Sequence, residues 1–326
     1  MFSTARVCVL GLALALAASS LTACGAPAAY PSRPLTMVVP WGAGGGTDAV
    51  ARTIASLMEQ DLGQPINVVN RTGGSGVVGH QAIADAAPDG YTFGIITTEI
   101  AMLRHQGLTT LTGAAYTPLG MVNYDPVTIE VRADAPWTTL PAMVDDIRRN
   151  PGKFKASGTA QGGIWHVAMH GFLHEQGIPP AAVPWVPSAS AAAGLLDLLA
   201  GGVDIAPVSH PEARSLMDSG KVKSLAIFDS SRSTLYPNVP TAEEAMGSKW
   251  QMGVWRGFGA PKGLPDAIRV RLEQALKKAY DSQAYRDFST NRGFGLRWAD
   301  PATFAAFMAE ADTQMGEVMR SIGLAK

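Results

Sequence analysis

The sequence predicts an α/β protein of two lobes. Short apolar runs at Leu35–Val39, Ile66–Asn70 and 91–96 each lead through a turn into a helical pattern. Such alternation argues a parallel sheet covered on both faces. The same plan starts again after a run at 127–131, VTIEV. A chain of 326 residues is also long for one core and suggests two.

Each element follows from local chemistry. In the helix expected over 49–61, Val50, Ile54, Leu57 and Met58 share one face, and Gly63 and Pro65 stop it. The second strand passes through RTGGSG at 71–76 into a helix over about 77–86, and Pro88-Asp89-Gly90 is a turn. In the second lobe the expected order is helix 140–150, strand 153–157, loop 158–163 and helix 164–176. Strand 183–186, helix 188–200 and strands 203–207 and 222–228 follow. The run MGVWRGFGA at 252–260 reads as a strand returning to the first lobe, followed by closing helices over 265–289 and 301–322. The expected boundaries are 31–126 plus 254–326 for one lobe and 127–253 for the other. Ligands of such sheets bind beyond the carboxyl ends of the strands, so the glycine loops of both lobes face one cleft.

The formal net charge of −1, with no Lys/Arg-rich run, provides no footprint for nucleic acid. Residues 1–30 read as a leader. Arg6 precedes an apolar run at 7–18 that is too short to span a membrane. Leu21-Thr22-Ala23-Cys24 then resembles a bacterial lipobox, with lipidation at Cys24; ordinary cleavage near Ala23 or Ala28 is the alternative. The other cysteine, Cys8, lies inside the leader, so the mature chain forms no disulfide.

The opening loop, Trp41-Gly42-Ala43-Gly44-Gly45-Gly46-Thr47-Asp48, follows the first strand. Free N–H groups at the helix start favour an anion there. Gly44-x-Gly46-x-x-Ala49 matches a dinucleotide fingerprint, but Asn70-Arg71 stand where a ribose-binding acid is expected. No Gly-Lys-Ser/Thr follows, so the loop is not a P-loop. Thr47 reads as an N-cap, Asp48 as either a first-turn cap or a ligand contact, and Trp41 as core packing or a pocket wall. His166, His170 and His174 recur at every fourth position of one helix. Such a face suits zinc, yet it spans two turns and lacks HExxH. No Gly-x-Ser-x-Gly elbow is present. The hydroxyls of Ser157, Thr159, Thr97, Thr98 and Ser75 beside glycines are carboxylate donors, and Arg71 is the only cation in these loops. A small acid held by neutral donors and helix N-termini is therefore expected, with no cofactor and no metal.

The ordered set VVPWGAGGGTDAVAR, NRTGGSG, APDGYTF, KASGTAQGGIWH, GGVDIAPV and PNVPTAEEA resembles the Bug family from about Tyr30 to the C-terminus. These are extracytoplasmic solute receptors of tripartite tricarboxylate transporters. The resemblance implies a class II periplasmic-binding-protein fold with two crossing strands as hinge. It also implies capture of a small carboxylate without catalysis and delivery to a membrane permease. It places one pincer arm at Trp41, Gly42, Ala43, Gly44, Gly45, Thr47 and Asp48, and the other near Thr97 and Thr98, with Gly74 and Ser75 nearby. The second lobe would add Ser157, Gly158, Thr159, Gly163 and His166, with Trp185 and Asp204 shaping the distal pocket. The family often has Phe-Pro-Pro or Phe-Ala-Pro where Trp41-Gly42-Ala43 stands, and Tyr-Lys-Gly where Trp185-Val186-Pro187 stands. Loss of the lysine and two tryptophans suggest a less charged or aromatic acid.

Two other readings compete. One is an exported metal-dependent enzyme using the His166/His170/His174 face. The other is a sensor subunit that passes occupancy to a membrane kinase.

Overall fold

The computed structural model describes residues 30–326, so the leader and Cys24 lie outside the described residues. The first lobe is built on six strands in the spatial order Ile66–Asn70, Leu35–Val39, Thr92–Thr97, Gly253–Pro261, Tyr116–Pro126 and Leu296–Ala299. Apolar β1 (Leu35–Val39) runs parallel to β2 (Ile66–Asn70) and β3 (Thr92–Thr97). Helices α1 (Gly46–Leu62) and α2 (Val77–Ala84) make the crossovers. Gly63 ends α1 in the left-handed conformation, as its sequence predicts.

The rest of that sheet is antiparallel, unlike the parallel sheet expected. β8 (Gly253–Pro261) pairs antiparallel with β3 and with β4 (Tyr116–Pro126), and β9 (Leu296–Ala299) pairs antiparallel with β4. β4 escapes the sequence pattern because Pro118 and Gly120 interrupt it, and the ladder slips at Pro118/Gly120 and Met121/Asn123.

The second lobe holds an antiparallel sheet, β6-β5-β7, from β5 (Thr128–Arg132), β6 (Ala206–Val208) and β7 (Val222–Ile227). It therefore does not repeat the first plan. The segments expected as strands at 153–157 and 183–186 contribute only the isolated bridges Ala156–Trp185 and Ala156–Ile205. Pro184 and Pro187 lack the N–H groups that a ladder needs. Around this sheet pack α3 (Leu140–Arg149), α4 (Ile164–Glu175), α5 (Ala191–Leu199), α6 (His210–Asp218) and α7 (Ala242–Met246). The stretch expected as one closing helix divides at Ser282 into α8 (Asp266–Asp281) and α9 (Gln283–Arg292), because Ser282 Oγ caps the second by accepting from Tyr285 N–H. The last helix, α10 (Pro301–Ser321), starts at an Asp300 cap with proline at its first position.

Where the chain crosses between the sheets, three backbone bonds close a ring. Phe228 N–H donates to Val127 O, Val127 N–H to Met252 O, and Met252 N–H to Phe228 O, at 2.8, 2.9 and 3.2 Å. The second core runs from Ile129, Val144 and Phe172 to Met319 and Ile322, so the end of α10 packs into it, while Phe304 and Met308 belong to the first core.

Two positions yield predictions. A Cβ on Gly79 in α2 would lie 2.4 Å from Pro40 Cα and 2.7 Å from Arg71 O, both backbone atoms beside the opening loop. Gly79→Ala is expected to destabilise the fold by about 1–3 kcal/mol, read as a lower urea midpoint with an unchanged m-value. Glu130 on β5 is buried. Its Oε1 accepts from Thr128 Oγ1 at 2.7 Å, and its Oε2 has no partner. Burial pushes its carboxyl from the ordinary 4.5 up to about 7, against the pull of Thr128 and Ser224. The native state thus keeps a proton that the unfolded chain has already lost. Glu130 stability is present below about pH 4.5 and is lost as pH rises to about 7. Glu130→Gln should gain on the wild type across that window by ~3 kcal/mol. Identical pH profiles of unfolding free energy would refute this.

Candidate functional site

The end of β1 delivers Pro40 and Trp41 to the opening loop, and α1 begins at Gly46 with Gly45 as its cap. Thr47 is therefore not the N-cap that its sequence suggests. It is the second helical residue, and its Oγ1 accepts from Arg256 Nε at 3.0 Å. Glycine is a tolerable cap, and a charged donor is the stronger partner for the hydroxyl. Asp48 accepts from Gly44 N–H at 3.1 Å, Arg52 Nε at 3.0 Å and Asn70 Nδ2 at 2.9 Å. Burial works to raise its pKa, yet the bonds from Arg52, Asn70 and Gly44 hold it below the usual value. Its role here is to brace the loop.

Behind the loop lies Arg256 on β8, only 1% exposed. Its Nη1 donates to Asn123 Oδ1 and Asp125 Oδ2, each at 2.5 Å. Its Nη2 lies 3.6 Å from Oε1 of Glu212, which reaches over from α6. Burial pushes the Glu212 carboxyl up to about 7. The Arg256 guanidinium pulls it down, and Asp125 adds to the rise. A Cβ on Gly46 would stand 2.9 Å from Arg256 Nη2 and 3.0 Å from Glu212 Oε1, so only glycine lets the two lobes meet there.

Glu99 makes the reciprocal contact. It follows β3, accepts from Thr97 Oγ1 at 2.5 Å, and its Oε1 lies 3.5 Å from Ile164 N at the start of α4. Burial raises its pKa, and the hydrogen bond from Thr97 opposes this. Each lobe thus lays a glutamate on a helix N-terminus of the other.

These groups enclose an inner cavity of about 30 Å³, space for one or two water molecules. Trp41, Gly42, Gly45, Thr47, Glu99, Thr159, Ile164, Trp165, Ser190, Glu212 and Arg256 line it. An outer cavity of about 370 Å³ lies beyond, walled by Gly44, Gly45, Gly46, Arg214, Ser215, Asn291 and Arg292, and Glu212 belongs to both walls.

Of the residues expected from the sequence, the inner wall unites Trp41, Gly42, Gly45, Thr47 and Thr159. Gly44 faces the outer cavity, and Ala43 and Gly74 are exposed. Ser75 Oγ donates to Gln161 O at 3.4 Å, across the lobes. Thr97 Oγ1 also accepts from Trp41 Nε1, while Thr98 Oγ1 accepts from Trp255 N–H. Ser157 is buried with an unpartnered hydroxyl, Gly158 lies under Trp165, and Gly163 caps α4. Trp185 donates to Thr159 O at 3.1 Å and stacks on His166 with ring centroids 4.7 Å apart. Asp204 takes the N–H of Lys155 at 2.9 Å. None of these last five contributes to the inner wall.

The site's cation is Arg256, not the exposed Arg71. This cation sits inside an apolar strand and not in a loop. An arginine within GVWRGFGA, where every residue is buried, was the available signal. Glu212 in HPEARS carried no local sign of burial.

The histidine face does not form a metal site. His166 is pushed down to about 3 by burial and then by His170, and its Nδ1 accepts from Gly162 N–H at 2.8 Å. His170 Nε2 donates to Val183 O at 3.0 Å, and His174 is exposed. The turn-by-turn spacing serves packing against the loop and Trp185. Among the described residues, no three His, Cys, Asp or Glu side chains are placed to hold a metal ion.

The tripartite tricarboxylate transporter family receptor model, TctC, matches residues 50–324. The chain is 31% identical to protein BugT of Bordetella pertussis over 301 residues, covering 90% of each chain. Its fold matches MatC from Rhodopseudomonas palustris, solved with bound malate, at a TM-score of 0.82 and 28% identity, covering 89% of this chain and 99% of that one. It also matches R. palustris Rpa4515, solved with adipate, at a TM-score of 0.85 and 25% identity, covering 91% and 99%. The two-lobed fold is that of the periplasmic binding proteins, with the cleft between lobes. The chain therefore belongs to the Bug family of tripartite tricarboxylate transporter receptors, solute-binding proteins and not enzymes.

Proposed function

We propose that this protein captures a small, weakly charged carboxylate in the inner cavity and presents it to a tripartite tricarboxylate-type permease. One observation carries the reading: the starts of α1 and α4 and the Arg256 guanidinium converge on a single cavity between the lobes. Helix N-termini and a fixed guanidinium are what a carboxylate needs. The malate of MatC and the adipate of Rpa4515 support the ligand class. The lobes would be residues 31–126 plus 254–326 and residues 127–253, moving about the bonded ring at Val127, Phe228 and Met252. A cavity with space for one or two water molecules is smaller than such an acid, so the lobes part to admit it and close on it less far than here, and the ligand shifts the equilibrium by its preference for that liganded form. Trp41 and Trp165 are the aromatic walls available to an aromatic acid. The protein would work in the periplasm, tethered by lipid at Cys24.

A thermal-shift panel of mono-, di- and tricarboxylates, aliphatic and aromatic, tests the reading on the purified protein. A cognate acid at a hundredfold excess over its Kd stabilises by about 2.7 kcal/mol, a rise of several degrees that a chelator leaves unchanged. Stabilisation by zinc or a nucleotide, with no acid effective, would sink it. Thr159→Val sharpens the test. The Thr159 hydroxyl is buried without a partner, so stability should hold while the cognate acid binds roughly 2- to 10-fold more weakly.

A further inference from the structure

Glu212 is the wall residue whose chemistry plain capture of an acid leaves unused. The inference drawn from it rests on that capture reading. Its side chain leaves α6 in the second lobe and ends against Arg256 and Gly46 of the first. Oε1 faces the guanidinium at 3.6 Å, whereas Oε2 is buried and makes no hydrogen bond. The residue lines the outer and the inner cavity alike, so a ligand moving from one to the other meets it.

The charges around it are unequal. The inner wall carries one guanidinium, already bonded to Asn123 and Asp125, and two carboxyls, Glu99 and Glu212. A simple alkyl acid adds negative charge and leaves Oε2 unsatisfied. A buried acceptor without a donor is costly, and a bond from a charged donor is stronger than one between neutral groups. An acid with an ammonium or hydroxyl beside its carboxylate satisfies both sides. Its carboxylate meets Arg256, the Thr159 hydroxyl and the start of α1, and its donor meets Oε2.

The geometry points to Glu212 as the specificity residue of the cleft, selecting acids that carry a hydrogen-bond donor next to the carboxylate over alkyl acids of equal length. The amino or hydroxyl group, rather than chain length alone, then sets the rank order of ligands.

Titration calorimetry on the full-length protein tests this with matched sets: propionate, lactate and alanine; succinate, malate and aspartate; glutarate and glutamate. The measurement is made at about pH 8, above the pKa of about 7 to which burial pushes the carboxyl, so that Glu212 is ionised. Within the set that binds, the donor-bearing acid is expected to bind about tenfold tighter or more than its alkyl partner. In Glu212→Gln the advantage should fall below about threefold, with the alkyl acid unchanged or tighter. Equal affinities within a set in the wild type overturn the inference and leave carboxylate capture standing, as does a variant that weakens every member alike. Failure of all these acids to bind overturns this inference, and capture of small acids falls with it only if the aromatic acids and tricarboxylates of the thermal-shift panel fail as well. The wild-type ranking alone decides the matter if the variant does not fold.

Discussion

A guanidinium held at 1% exposure in a wholly buried strand demands acceptors on every side, and the arrangement around Arg256 follows from that demand. Its bonds reach β4 through Asn123 and Asp125 and α1 through Thr47, and its charge faces α6 through Glu212. Asn123 in turn donates to Gly295 O at 2.8 Å, and Gly295 N–H donates to Asp125 at 2.7 Å, which ties in the approach to β9. Removing one member of such a cluster strands the others without a counter-charge, a loss of about 3–5 kcal/mol for a buried pair. The cluster also explains why α1 opens on glycine: any side chain at Gly46 would part Arg256 from Glu212.

The cleft between the lobes is self-complementary. Glu99 sits at the start of α4 and Glu212 at the start of α1, each from the opposite lobe. Glycines bring the walls close, with Gly42 3.6 Å from Ala189 O at the position a Cβ would take. Gln106 Nε2 donating to Gly162 O at 3.1 Å seals one rim. Few of these contacts between lobes are strong, whereas the bonds bracing each loop within its own lobe are short and numerous. Asp48 holds the first loop, and Gly162 N–H to His166 holds the loop before α4.

Much of the first lobe was legible in the sequence because its signals are local. Apolar β1, the glycines after it and the left-handed Gly63 each declare themselves within a few residues. β4 was not legible, because proline and glycine within it look like a loop and its pairing with β8 is irregular. The histidine spacing was legible as a helix face, but its meaning was not. The proximity of Gly162, Val183 and Trp185 makes it a packing surface.

By itself the sequence determined the α/β class, the crossing between two lobes and the family, since strand runs, turn glycines and ordered motifs depend on near neighbours along the chain. The resemblance to the Bug family, carried by those motifs, also placed Trp41, Gly45, Thr47 and Thr159 at the site, and all four line the inner cavity. Only the tertiary structure decided which charges face the cleft. Arg256, Glu99 and Glu212 are far apart in sequence and meet through pairing of β3, β4 and β8 and through closure of the lobes. Their pKa values and partners arise from shared burial, a property of the assembled core that no local pattern encodes.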